Sequence, residues 1–135
     1  MAHRIRLEVV TRSRRVLEAE ADFVELPGVE GALGVLPGHT PLLTALGIGE
    51  LMYRRDHAEE YLAISWGFAE VLPDRVTVLA EVAETPAEID VEAARRDQEE
   101  AEAALRTAGA VELDRMLAKL EMAVTRLRVA SRGRG

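Results

Sequence analysis

Glu84-Thr85-Pro86-Ala87-Glu88-Ile89-Asp90-Val91 is the stretch at which this chain changes character. Before it, short apolar runs are cut by Gly, Pro and Asp. After it, Gly and Pro nearly vanish and Ala, Glu and Arg dominate. A switch of apolar spacing from period two to period 3.6 marks a switch from strands to helices. The fold class that follows is β + α: an antiparallel β-sandwich over residues 1–86, then an antiparallel two-helix hairpin over residues 87–135.

Upstream of the boundary, Ile5, Leu7 and Val9 alternate with Arg4, Arg6 and Glu8, as a strand with one buried face requires. Further strand-like runs are Val16 to Ala21, Phe23 to Leu26, Leu33 to Leu36, Leu42 to Leu46 and Glu50 to Arg54. Tyr61 to Ser65, Phe68 to Leu72 and Val76 to Glu81 complete the series. Many short strands separated by turns predict a sandwich or barrel. Pro73-Asp74 reads as a tight hairpin, because proline presets the turn φ and aspartate favours turns.

Downstream, Val91, Ala94, Gln98, Ala101, Leu105 and Ala108 fall on one helical face made mostly of small residues. Asp90 is the expected N-cap, although Thr85-Pro86-Ala87-Glu88 also fits a capping box with proline at the first helical position. Gly109 is expected to end the first helix in a left-handed C′ conformation. Leu113, Leu117, Leu120, Val124 and Leu127 then repeat at four-three spacing and predict the packing face of a second helix.

The 135 residues can bury roughly two-thirds of their unfolded surface without covalent staples. There is no cysteine, which removes disulfides, thiol nucleophiles and cysteine metal sites. No apolar run approaches a membrane span, and the N-terminus enters alternation directly with no signal-peptide core, so direct membrane insertion is not expected. The net charge of −7 argues against nucleic acid as a partner. Charge is unevenly placed: residues 88–104 hold seven acids against two bases, whereas residues 105–135 hold seven bases against three acids. Adjacent helices so charged attract each other, and the basic one also suits an acidic partner.

Gly28, Gly31, Gly34 and Gly38 invite a phosphate-loop reading, but no Gly-Lys-Ser/Thr follows and the next segment is strand-like. Turn and bulge positions explain these glycines better. Ser65 in Ala63-Ile64-Ser65-Trp66-Gly67 comes near a nucleophile elbow, with His39 as a conceivable base, yet strand-like sequence lies on both sides. Histidines at 3, 39 and 57 lack metal-ligand spacing. Arg126, Arg128, Arg132 and Arg134 form a basic tail that suits the negative pole of a helix as well as an anionic partner.

The run Gly31-Ala32-Leu33-Gly34-Val35-Leu36-Pro37-Gly38-His39-Thr40-Pro41-Leu42-Leu43-Thr44 closely resembles the signature of F-type ATP synthase epsilon subunits. Gly49-Glu50-Leu51, Gly67-Phe68-Ala69-Glu70-Val71, Val76-Thr77-Val78-Leu79-Ala80-Glu81 and Arg126-Leu127-Arg128-Val129-Ala130 are similar to the family in the same order. One departure is Trp66, where the family commonly has glycine. The resemblance implies a non-catalytic rotor subunit of the central stalk. Its sandwich would bind the gamma subunit and rest on the ring of c subunits, at the cytoplasmic face of a bacterial inner membrane. The hairpin would lie on the sandwich or extend along gamma toward the catalytic beta and alpha subunits and inhibit ATP hydrolysis. By the same resemblance, Gly31, Gly38, His39 and Pro41 belong to the sandwich's partner-facing region. Arg115, Lys119, Arg126 and Arg128 are the basic residues of the second helix that would meet acidic partner surface.

Some bacterial members of that family bind ATP through Ile/Leu-Asp-x-x-Arg-Ala. Here the segment reads Ile89-Asp90-Val91-Glu92-Ala93-Ala94, without the arginine. Glu84, Ile89, Asp90 and Arg126 match the wider pattern, while Glu100 and Met122 occupy two further arginine positions. At about 1.5 kcal/mol per charge-assisted hydrogen bond, three losses remove about 4.5 kcal/mol, or about three decades of affinity. ATP binding is therefore expected to be weak or absent, and no other cofactor is expected. Alanine contacts bury little, about 0.8 kcal/mol per carbon, so residues 88–135 are expected to exchange between docked and extended forms. The alternative readings are a free-standing ATP-sensing module and a small hydrolase using Ser65.

Overall fold

The computed structural model describes residues 3–107 and 109–133. Eight strands run β1 (Ile5–Val10), β2 (Arg15–Ala21), β3 (Phe23–Gly28), β4 (Gly31–Val35), β5 (Leu42–Leu46), β6 (Gly49–Arg55), β7 (Ala58–Leu72) and β8 (Arg75–Glu84). A 3₁₀ turn (Pro86–Glu88) leads to helices α1 (Val91–Leu105) and α2 (Ala110–Arg132). The hydrogen-bonded order is β2-β1-β8-β7-β5-β3-β4, with β6 bridging β3 and β7. All pairs are antiparallel except β1 with β8. Folded over as a sandwich, the sheet encloses one apolar core that includes Ile5, Leu7, Val9, Val24, Leu26, Leu51, Ile64, Val71 and Val78. Burying side chains of this size contributes about 1.5–3 kcal/mol each.

Tyr61 to Ser65 and Phe68 to Leu72, expected as two strands, are two halves of the single 15-residue β7. No turn separates them. Instead the strand bends at Trp66 (φ 47°) and Gly67 (φ 157°). The alternation skips there: Leu62 and Ile64 face the core before the bend, Ala69 and Val71 after it. Its partner β8 skips on the same row, from Ala83 to Ala80, Val78 and Val76. Glycine is required at 67 because a Cβ would lie 2.0 Å from the Leu79 carbonyl oxygen.

The Pro73-Asp74 hairpin is present, with Leu72 opposite Arg75. Its carbonyls also accept from outside the turn, Pro73 from the Gly38 amide at 2.7 Å and Asp74 from the Arg6 amide at 2.9 Å. Asp56 and His57 close the β6–β7 hairpin with φ of 52° and 78°, the pair of positive values of a type I′ turn.

Both candidate helix starts are used in succession. The Thr85 amide and hydroxyl donate to the Glu88 carboxylate at 2.9 and 3.0 Å, closing the 3₁₀ turn. Asp90 then caps α1 by accepting from the Ala93 amide at 3.0 Å. Gly109 does not adopt the expected left-handed conformation: at φ −77° and ψ 171° it is the N-cap of α2. The described end of α1 tightens instead, with the Arg106 and Thr107 amides bonded to Ala103 and Ala104 carbonyls at 3.3 and 3.1 Å. Ala94 and Ala101 are the buried small residues of the α1 stripe, and Ala108 lies outside the described residues.

The leucine row of α2 is not its most buried face, and Leu120, Val124 and Leu127 are only half-buried. Leu113 and Leu117 are 42% and 46% exposed, whereas Met122, Ala123, Val129 and Ala130 are buried. Small residues win because α2 is sandwiched between α1 and the strands β6 and β7, and close approach on two sides leaves little room for leucine. Lys119 and Glu100, 2.8 Å apart, link the two helices across their opposite charges.

Candidate functional site

The register of the sheet sets up the surface on which the hairpin lies. Glu84 of β8 is opposite Ala63 of β7, and Ala63 is opposite Glu50 of β6. One cross-strand row therefore reads Glu84–Ala63–Glu50. The middle of β7, Leu62 to Ser65, is buried on both faces, Leu62 and Ile64 in the core and Ala63 in a second cluster with Ile89, Met122, Val129 and Ala130. Each acid of the row holds one arginine of α2. Arg126 donates Nε and Nη2 to Glu84 at 2.7 and 3.3 Å. Arg132 donates Nε and Nη2 to Glu50 at 2.8 and 3.1 Å, and its guanidinium carbon lies 4.1 Å from the Tyr61 ring centre. The carboxylate of Glu50 accordingly raises the pKa of Arg132.

At the sandwich side of the boundary, Arg14 reaches the Glu88 carboxylate at 2.7 Å. The bonds from the Thr85 amide, its hydroxyl and Arg14 together hold the Glu88 carboxyl below its usual 4.5. Glu100, held by Lys119, is lowered likewise.

The residues of the nucleotide pattern are each engaged within the chain, by pairing, capping or burial. Arg126 is spent on Glu84, Ile89 is buried in the second cluster, and Asp90 caps α1. Glu100 is paired with Lys119, and Met122 is buried.

The residues expected at partner interfaces separate into two regions. Gly31 and Gly38 lie at opposite ends of β4, beyond or at its first and last residues, with φ of 129° and 87° and open space where a Cβ would be. His39 keeps its amide bonded to the Leu36 carbonyl at 3.1 Å, its Nδ1 is 2.6 Å from the Thr40 carbonyl, and Pro41 is exposed. On α2, Arg115 pairs with Glu112 at 2.9 Å, Lys119 with Glu100, and Arg128 is exposed beside Glu121 and Ile48. Ser65 is buried within β7 opposite Val82, with strand on both sides and no strand-to-helix turn. Arg134 lies outside the described residues.

Composition did not reveal a third feature. Leu79, Phe68 and Ala45 form another cross-strand row, on β8, β7 and β5, and Leu43 is two residues along β5. Phe68, Leu79, Leu43 and Trp66 are 57%, 53%, 72% and 46% exposed. Trp66, Phe68 and Leu79 also line an open cleft of about 640 Å³ with Arg12 and Glu81. The parity skip at Trp66-Gly67 is what turns Phe68 outward, and in the sequence that skip reads only as a break between two strands.

The sandwich thus carries an uncovered apolar row, and its hairpin is pinned to it by two arginine–carboxylate pairs. The beta-sandwich domain model of the ATP synthase delta/epsilon chain matches residues 4–86, and the long alpha-helix domain model of the same chain matches residues 87–131. ATP synthase epsilon chain 2 of Syntrophotalea carbinolica is 47% identical over 135 residues, covering 98% of each chain. The ATP synthase epsilon chain of Koribacter versatilis is 50% identical over 109 residues, covering 81% of this chain and 77% of that one. A chain in the cryo-EM structure of the Euglena gracilis mitochondrial ATP synthase, comprising OSCP, F1 and the c-ring, superposes with a TM-score of 0.80 at 25% identity, covering 95% of this chain and 81% of that one. The protein belongs to the ATP synthase delta/epsilon family, as an epsilon subunit of the bacterial type. No described helix is long and apolar enough to cross a membrane.

Proposed function

We propose that this subunit is a non-catalytic part of the ATP synthase rotor, which couples ion translocation to ATP synthesis and restrains ATP hydrolysis through its helices. The uncovered row around Phe68, Leu79, Leu43 and Trp66 is the observation that carries this reading. An apolar patch of this kind is costly to leave in water and marks a protein interface. We assign it to the gamma subunit. The loop end carrying Gly38, His39 and Pro41 is assigned to the neighbouring rotor surface of gamma and the c-ring, at the cytoplasmic face of the membrane.

The hairpin is the regulatory arm in this reading. On the sandwich two of its arginines, Arg126 and Arg132, are neutralised by Glu84 and Glu50. Extended along gamma, Arg115, Lys119, Arg126 and Arg128 would be offered to the catalytic beta and alpha subunits. ATP is not a strong ligand of this arm, because the arginines that would hold its phosphates are replaced by Ala93, Glu100 and Met122 or, in Arg126, already paired.

Affinity purification of tagged gamma from membranes tests the docking face. The native subunit should co-purify and Phe68→Glu should be lost, while circular dichroism of the isolated variant stays native because Phe68 is outside the core. Retention of Phe68→Glu at native yield would contradict the assignment.

A further inference from the structure

We propose that the hairpin is latched to the sandwich by an ionic clamp, Arg132 on Glu50 and Tyr61 together with Arg126 on Glu84, so that ionic strength and competing acidic surfaces set its release. The proposal rests on the reading of the hairpin as a movable arm and names what holds it.

The clamp is matched in its spacing. Arg126 and Arg132 are six residues apart, a rise of about 9 Å along a helix. Glu84 and Glu50 are separated by two strand spacings, about 9.5 Å. In angle, the two arginines lie about 60° on either side of Val129. Val129 is fully buried in the cluster with Ala63, so the arginines flank the line of closest approach and close on it from both sides. Ala63, between the two acids, is the small residue over which the helix can settle.

The apolar part of this dock is thin, since α2 brings Met122, Val129 and Ala130 to it while Leu113 and Leu117 remain exposed. Directional contacts must supply much of the hold, and bidentate arginine–carboxylate pairs are the strong form of such contacts. Arg132 has a cation–π partner as well, which a lone surface pair lacks. Yet both clamps remain reachable by solvent ions. The side chains of Arg132 and Glu50 are 41% and 22% exposed, and those of Arg126 and Glu84 are 25% and 26% exposed. An open groove of about 370 Å³ runs beside Glu50, Tyr61 and Arg132. Salt therefore screens the latch at its outer end, and carboxylates on another protein can compete for the same guanidinium.

Amide hydrogen exchange of the full chain tests this, comparing the native protein with Arg132→Gln, Glu50→Gln and the double variant at low salt and at about 0.5 M NaCl. Each single variant should speed exchange over the second half of α2 about tenfold, with β1 and β8 unchanged as the control for folding. The double variant should match Arg132→Gln, which already removes every contact of that guanidinium with Glu50 and Tyr61. Salt should accelerate the native protein more than the variants, which keep only the less exposed Arg126–Glu84 pair. Unchanged exchange in Arg132→Gln, multiplied effects in the double variant, or equal salt acceleration in all four proteins would each overturn the clamp. The hydrolysis rate of the assembled enzyme is read separately: a hairpin without influence on hydrolysis would sink the regulatory reading while leaving the clamp standing.

Discussion

Arg126 closes on Glu84 through Nε at 2.7 Å and Nη2 at 3.3 Å, so the one arginine retained from the nucleotide pattern already has a carboxylate partner. A triphosphate would have to displace Glu84 and then do without three further arginines. Isothermal titration of the isolated chain with ATP is predicted to show no saturable binding in the micromolar range. Micromolar or tighter affinity would contradict this reading of the Arg126–Glu84 pair.

The bend of β7 gives a stability prediction. A Cβ on residue 67 would lie 2.0 Å from the Leu79 oxygen and 2.9 Å from the Ala80 Cα, both backbone atoms that cannot swing aside. Gly67→Ala is predicted to cost about 3 kcal/mol or more in urea unfolding, with an unchanged m-value. Gly38→Ala meets no atom within 4 Å and carries only the positive φ of 87°, so its cost should be nearer 1 kcal/mol.

Acid should loosen the junction between sandwich and hairpin before the core. Glu88 is held below its usual 4.5 by the Thr85 amide and hydroxyl and by Arg14. A carboxyl depressed on folding contributes stability that is present above its unfolded value and lost as pH falls through its folded value. Glu100, lowered by Lys119, acts in the same direction between the helices. Hydrogen exchange over residues 85–105 should therefore accelerate as pH drops below about 4.5, after correction for intrinsic rates, and Glu88→Gln should remove most of that dependence at the 3₁₀ turn.

The division into sandwich and hairpin was legible because period two and period 3.6 are separated by a proline and two caps, and both caps are used. What the pattern missed has specific causes. Tyr61 to Ser65 and Phe68 to Leu72 look like two strands because the bend at Trp66-Gly67 skips one position of the alternation, which reads as a break. The leucines of α2 suggested a packing face, but α2 is contacted on two sides, and Ala123, Val129 and Ala130 serve both better than leucine. Gly109 carried a stop signal for α1 and became the start of α2. The clamp was out of reach of sequence, since pairing Arg132 with Glu50 requires the β6–β7 register and the direction of α2 across it.

The central claim is that the hairpin is an arm that restrains hydrolysis, and removing it is the most direct test. The sandwich has its own core, separate from the cluster under the hairpin, so a chain ending at residue 87 should fold and assemble. In the reconstituted ATP synthase, ATP hydrolysis with this truncated subunit is predicted to rise several-fold over that with the full chain, at equal subunit stoichiometry. Equal hydrolysis by the two assembled enzymes would contradict the account.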